Sequence, residues 1–473
     1  MKNITLVDFR GWKLGTYTNH SALGPIGLEY VASFAEEAGY NVNILQQRDQ
    51  TTEVFLDQIL STLPTVIGFS ANFTCNVPDT LSLARRIKNY DSNIVTVFGG
   101  WHASAMPEEL ASENCVDYVV IGEGEETFTD LLNCLDGKQD LMTIKGLAYK
   151  YNGKVRNTGK RYIEKLDKLP FPIRKKEHLE GNIILPGYPA PSQQRAVAQI
   201  SYSRGCPFQC TYCTAPTVYQ GKTHFRSPSN LVDEIEFLQR EFGTNYLFFT
   251  DNTFNFNKKK VLELCDEILR SGIDINWFVM CRPNPDEETF TAMRDAGCSR
   301  VAFGVESLTA PLLSELNRKH SAEQTKESIQ IADSLGMITR GYVITGIPGE
   351  ERYYRTYEDY LNDGINTLKA LANLGLDSIK VSIMTPLPGT SDYFRHKSMI
   401  FSDDYKLYDT ENPVIMLDYM TPGQEILVRN TLYREFYASE EYRQHIHDKI
   451  ARFPHLKQTF DEYRTWLNNM DVK

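Results

Sequence analysis

Short runs of β-branched and aromatic residues, each followed by an amphipathic stretch, recur along most of this chain, and that recurrence limits the fold most strongly. In the first third the runs are Ile4–Asp8, Val42–Leu45, Val66–Ser70, Ile94–Phe98 and Tyr118–Ile121. Between them apolar residues return at helical spacing, as in Ile26, Tyr30, Val31, Phe34 and Ala38. Five strand–helix units predict an α/β, doubly wound, Rossmann-like parallel sheet over residues 1–143. Ligands in such a sheet bind at the carboxyl ends of the strands. The loops of interest are therefore Asp8–Gly15, Ser70–Val77, Gly99–Met106 and Gly122–Thr127.

A second series follows: Val197–Ser203, Tyr246–Asp251, Ile275–Met280, Arg300–Val305, Ile338–Thr345 and Ser378–Met384. Helical patterns such as Leu231, Ile235, Leu238 and Val261, Leu264, Cys265, Ile268 separate the runs. Six β/α units predict a partial (β/α)6 TIM-like barrel over 196–390, working at its strands' carboxyl ends. Those ends carry Asp251-Asn252, Cys281-Arg282, Glu306-Ser307 and Gly346-Ile347-Pro348-Gly349-Glu350. Residues 144–195 read as a hairpin around Asn152-Gly153 and a proline-rich connector packed across both domains. Residues 391–473 read as a helical segment rich in Tyr and Arg, expected either to close the barrel mouth and shape substrate choice or simply to pack.

Composition narrows the class. The 473 residues carry 50 Lys+Arg against 61 Asp+Glu, a net charge of −11, which argues against a nucleic-acid partner held through phosphates. No apolar run approaches the roughly 18 residues of a membrane span, and the opening residues turn polar too soon for a signal peptide. Nine cysteines, an odd number in a long chain, make a disulfide framework improbable and point to a reducing cytoplasm. Six are scattered, and Cys206, Cys210 and Cys213 stand together.

That group, in Arg204-Gly205-Cys206-Pro207-Phe208-Gln209-Cys210-Thr211-Tyr212-Cys213, has the spacing C-x3-C-x2-C. Three thiolates on one loop can bind three irons of a [4Fe–4S] cube and leave the fourth open. A structural cluster or zinc site would recruit a fourth Cys or His, and the nearest histidine in sequence is His224.

With Tyr212 before the third cysteine, the loop resembles that of radical SAM enzymes, whose open iron is chelated by S-adenosylmethionine (SAM). Phe225-Arg226-Ser227-Pro228, Phe303-Gly304-Val305-Glu306-Ser307, Gly341–Gly346 and Pro386-Leu387-Pro388-Gly389-Thr390 are similar to later segments of that family. Upstream, Val97-Phe98-Gly99-Gly100-Trp101-His102, Pro107-Glu108-Glu109 and Asp117–Glu125 resemble the cobalamin-binding domain of its B12-dependent branch, as does Leu23–Leu28. Cobalamin mutases place a cobalt-ligating His after the first strand; here the stretch is Asp8-Phe9-Arg10-Gly11-Trp12, and the radical SAM branch commonly lacks that His. No GxGxxG follows the first strand, so a dinucleotide site has little support.

The resemblance implies three cofactors: a [4Fe–4S] cluster on Cys206, Cys210 and Cys213, SAM, and cobalamin. It implies SAM-side contacts at Tyr212, Asp251, Asn252, Glu306, Ser307 and Gly346. Cobalamin contacts are expected at Ser70, Gly99, Gly100, His102, Glu123 and Gly124. Cys281 and Arg282 are candidate catalytic residues. Each has a plainer alternative: Asp251 as a helix cap, Glu306 or Arg282 as an ion-pair partner, Cys281 as packing, the glycines as tight turns. The implied activity is methylation of an unactivated carbon of a small-molecule or natural-product substrate, through a 5′-deoxyadenosyl radical and methylcobalamin. A flavodoxin or ferredoxin would donate the electron. A cyclase or rearrangement without net methyl transfer is the alternative, and a B12-free protein with a docking domain comes third.

Overall fold

The computed structural model describes residues 3–9, 24–48, 50–179, 197–307, 310–354 and 356–469. Arg10, Gly11 and Trp12, Leu23, and positions 180–195 of the connector lie outside the described residues.

The N-terminal sheet holds β1 (Asn3–Asp8), β2 (Asn41–Gln46), β3 (Val66–Ser70), β4 (Val95–Gly99) and β5 (Tyr118–Val120), with β6 (Leu147–Tyr151) and β7 (Lys154–Asn157). Its order is β2-β1-β3-β4-β5-β6-β7. The first five strands are parallel, with the order reversing at β1. Alternation sends successive side chains to opposite faces. Ile4 and Leu6 pack with Ala32, Phe128 and Leu131, whereas Val7, Ile67 and Phe69 pack with Phe55, Ile59 and Ala84. The sheet is thus covered on both sides, as a doubly wound fold requires. The hairpin differs from expectation. Rather than opening the connector, it pairs antiparallel to β5 (Tyr118 opposite Tyr149) and extends the first sheet to Asn157.

The second sheet is made of β8 (Ala198–Ile200), β11 (Tyr246–Phe249), β12 (Asn276–Cys281), β13 (Cys298–Glu306), β14 (Ile338–Thr345) and β15 (Ser378–Ile383). Its six strands are parallel and adjacent in chain order, an open partial barrel. Between β8 and β11 a two-stranded ribbon, β9 (Ser203–Gly205) against β10 (Thr223–Phe225), brackets the cysteine loop. Phe248, Phe278 and Ala302 fill the lumen, while Trp277, Val279 and Cys281 face the surrounding helices.

The C-terminal segment is helical, as expected, and its helices pack on the outside of the barrel. Helix Pro422–Ala438 lies along the free edge of β15. There the Tyr433 hydroxyl accepts from the Val381 N–H (2.9 Å) and the Tyr437 hydroxyl from the Ile379 N–H (3.1 Å). An edge strand needs partners for its backbone donors, and these hydroxyls provide them. Helix Glu440–Arg452 is anchored beneath by Lys449, whose ammonium lies 2.9 Å from Asp333 and 2.5 Å from Asp377. The same carboxylates and His445 converge as metal ligands would, and the lysine ammonium takes the cation's place. Segment 401–415 reaches the N-terminal domain, with Tyr405 on Glu109 and Lys406 on Asp79.

The two domains are joined by a buried ionic chain. Arg174 of the connector bonds Glu29 at 2.6 Å and Glu234 at 2.9 Å, and Glu234 also holds Arg226. Burying four charges is tolerable only because each is paired. No helix among the described residues is long and apolar enough to cross a membrane.

Candidate functional site

Cys206 and Cys210 are buried and Cys213 half-buried, all as free thiols. Burial raises the Cys206 thiol and pushes that of Cys213 up to about 12, so loading a metal must release these protons. Three thiols on one loop at C-x3-C-x2-C spacing are a donor set that suits a [4Fe–4S] cluster.

Around this loop the strand ends supply charge. At a register shift between β13 and β14, Glu306 adopts a left-handed backbone (φ +60°), which re-aims its side chain. Its Oε1 accepts from the Tyr212 hydroxyl at 2.7 Å and lies 3.5 Å from Arg318. Arg318 also reaches the Cys210 sulfur at 3.5 Å and donates to the Gly304 carbonyl at 2.8 Å. Arg282 stacks its guanidinium 4.0 Å above the Phe208 ring. Both its terminal nitrogens are buried without a protein partner, and burial and Arg318 pull its pKa down. Asn255 fixes its backbone by two hydrogen bonds, at 2.8 and 2.9 Å. A buried cation whose terminal nitrogens have no protein partner, near the thiols of Cys206 and Cys210, is suited to an anionic ligand group.

Cys281 is not part of this group. It shares the outward face of β12 with Trp277 and Val279, and burial raises its thiol far from reactivity. The catalytic reading of Cys281 gives way to packing. Asp251 caps no helix. Its carboxylate accepts from the backbone N–H groups of Tyr202 (3.1 Å) and Ser203 (2.6 Å) and from the Ser203 hydroxyl, fixing the turn before the cysteine loop. Burial pushes that carboxyl up to about 6. Ser307 and Glu306 border a small void behind β14, and the Gly346 N–H donates to the Tyr360 hydroxyl at 3.0 Å.

A cavity of about 300 Å³ joins the two domains. Its N-terminal wall includes Ser70, Gly99, Gly100, Glu123 and Gly124; its barrel wall includes Ser201, Ser203, Arg204, Thr250 and Asn252. It runs down between the sheet and its covering helices past Leu6, Gly68, Val97 and Phe128. Gly100 has φ +110°, and a Cβ there would collide with Asn72 Oδ1; a Cβ on Gly99 would meet only Val120 at 3.7 Å. Glu123 binds Arg204 (3.1 Å) and the Ile163 N–H (2.5 Å), and Glu125 binds Arg204 at 2.7 Å, so this carboxylate pair clamps the barrel to the first domain. His102 turns away from the cavity: Nδ1 meets Thr74 Oγ1 at 3.1 Å, the ring packs on Tyr405, and burial lowers its pKa to about 4.

The sequence reading missed Phe208 as a stacking partner, Arg318 and Arg204. Arg204 carried a signal, a charge directly after the apolar run Val197–Ser203 and two residues before the first cysteine. Arg318 carried none, because its role depends on a distant loop.

Residues 18–132 match the B12 binding domain model, and residues 200–358 match that of the Radical SAM superfamily. An uncharacterised methyltransferase of Pyrococcus horikoshii is 30% identical over 420 residues, 87% of this chain and 87% of that protein. An anaerobic magnesium-protoporphyrin IX monomethyl ester cyclase of Rubrivivax gelatinosus is 27% identical over 439 residues, 89% of this chain and 75% of the relative. Among solved structures, the radical S-adenosylmethionine methyltransferase TsrM from Kitasatospora setae, with cobalamin and a [4Fe–4S] cluster bound, superposes with a TM-score of 0.68 at 19% identity. That alignment spans 84% of this chain and 75% of the other.

Proposed function

This chain belongs to the radical SAM enzymes that carry a B12-binding domain, and from that premise we propose that it methylates an unactivated carbon of a small-molecule substrate. The observation that carries the proposal is the shared cavity. Its walls come from the strand ends of both sheets, so a corrin seated on the first domain would face the barrel mouth.

Cys206, Cys210 and Cys213 would hold the cluster, Tyr212 and Glu306 would face SAM, and Ser70, Gly99, Gly100 and Gly124 would line the corrin site. Bound there, the cluster would relay the electron that opens SAM to a 5′-deoxyadenosyl radical, and cobalamin would supply the methyl group that is transferred. The chain's own residues set the conditions. Glu306, held by Tyr212, presents a carboxylate to the SAM ammonium. Arg282, with no protein partner for its terminal nitrogens, orients an anionic group of SAM or substrate. The apolar lumen beneath, with Phe248, Phe278 and Ala302, excludes water from a radical formed above it.

The test compares small-molecule extracts of cells with and without this protein, grown on methionine bearing a deuterated methyl group. A product heavier by one labelled methyl supports methylation. The similarity to the Rubrivivax cyclase favours a second reading, ring closure without net methyl transfer. A product formed without label would select it.

A further inference from the structure

A second cavity, of about 820 Å³, opens at the domain junction and shares no lining residue with the first. Five basic side chains line it: Lys145, Lys160, Arg161, Lys222 and His224. Of the acidic groups there, Asp130 is already committed to Arg161 at 2.6 Å, which leaves Glu164. Lys145 and Lys222 are exposed, and neither they nor Lys160 has a carboxylate within ion-pair distance among the described residues. Lys222 rests 4.1 Å above the Tyr162 ring, and Lys160 donates to the Thr217 carbonyl. With Arg161 neutralised by Asp130 and by Glu126 at 2.5 Å, the three lysines against Glu164 leave this face locally positive in a chain of net charge −11.

Its place in the fold gives that positive face a use. His224 belongs to the ribbon that brackets the cysteine loop and Lys222 immediately precedes it, with Thr223 opposite Gly205 and His224 opposite Arg204. The Lys222 carbonyl packs so closely on Gly205 that a Cβ there would collide with it. Gly205 immediately precedes Cys206. The basic face is therefore one backbone contact from the cluster loop, on a side that leaves the cavity between the two sheets free for substrate.

We propose that this face docks an acidic one-electron carrier protein that reduces the cluster. The inference rests on the cluster assignment of Cys206, Cys210 and Cys213. One electron leaves the carrier, which is oxidised by one electron, and ends on the SAM sulfonium. Its C5′–S bond then breaks to methionine and the 5′-deoxyadenosyl radical. Opposite charges across such a face raise the association rate, and salt screens that attraction.

The experiment measures 5′-deoxyadenosine formation by the reconstituted holoenzyme with two reductants, dithionite and enzymatically reduced flavodoxin. In Lys145→Glu/Lys222→Glu the KM for flavodoxin should rise about tenfold or more and lose its dependence on ionic strength. The dithionite-driven rate should stay within about twofold. Lys145→Gln/Lys222→Gln should move the same way by less. The control, Lys259→Glu/Lys457→Glu, changes net charge equally at residues that line neither cavity and should leave the KM unchanged. An unaltered flavodoxin KM in the Glu pair overturns the proposal, as does an equal rise in the control. Loss of the dithionite rate in both the Glu and Gln pairs also overturns it, because the lysines would then serve the loop itself. No 5′-deoxyadenosine from the unmodified enzyme with dithionite would overturn the cluster assignment and this inference together.

Discussion

The Tyr212 hydroxyl donates to Oε1 of Glu306 across 2.7 Å, tying the residue before the third cysteine to the carboxyl end of β13, 94 positions away. The cysteine loop and the strand-end carboxylate are thus tied directly to each other, and Arg318 braces both by touching Glu306 and Cys210.

Glu306→Gln preserves side-chain volume and removes the charge. Losing one charge-assisted contact costs about 1.5–3 kcal/mol, so 5′-deoxyadenosine formation at limiting SAM should fall roughly tenfold to a hundredfold. Iron content and bound corrin should stay at the level of the unmodified protein. Assay of all three in one preparation is the check; loss of iron or corrin together with activity would point to a folding lesion.

The glycine pair after β4 can be tested one residue at a time. Gly100→Ala places a side chain at φ +110° against Asn72, a strain of about 1–3 kcal/mol, and should lower the melting temperature of the apoprotein. Gly99→Ala meets only ordinary contact and should leave that temperature unchanged. If corrin lies against this backbone, Gly99→Ala should still reduce the cobalamin retained on gel filtration. Full retention would make Gly99 a turn residue only.

Cysteine replacements should separate by face. Changing Cys206, Cys210 and Cys213 together to Ala should abolish the brown iron–sulfur absorption and 5′-deoxyadenosine formation. Cys281→Ala should keep both and lower stability by about 1 kcal/mol, because only packing is lost. Ultraviolet–visible spectra and thermal unfolding of the two variants decide the point.

Much of this was legible in the sequence, and the failures have physical causes. Every barrel strand was visible because β-branched runs alternate with helical spacing. The orientation of Cys281 was not, since Trp277, Phe278, Val279 and Met280 are all apolar and a strand buried on both faces shows no polar alternation. The hairpin was visible from Asn152-Gly153, yet nothing local tells that β6 pairs with β5. Tyr433 and Tyr437 stand in the Tyr-rich C-terminal segment, but the edge they cover lies more than 50 residues upstream.

Glu425 offers a test in pH. It is buried beside Gly346 with neither carboxyl oxygen partnered, facing Glu350, which Tyr419 holds at 2.6 Å. Burial, and then Glu350, raises its pKa from 4.5 to about 8. Between those values the folded state keeps a proton that the unfolded chain has released. This contribution to stability is therefore complete below about pH 4.5 and is lost as pH rises through 8. Glu425→Gln imitates the neutral form, so its melting temperature should fall less than that of the unmodified apoprotein between about pH 5 and 8.5. Parallel curves would remove Glu425 as the source.

The tyrosine hydroxyls on β15 also bear on how the molecule is made. A ribosome delivers β15 well before helix Pro422–Ala438, so during synthesis the Ile379 and Val381 amides are presented to whatever strand comes near. The nascent barrel must wait for that helix, and a chain interrupted between the two would offer its open edge to another copy instead of persisting as a smaller enzyme.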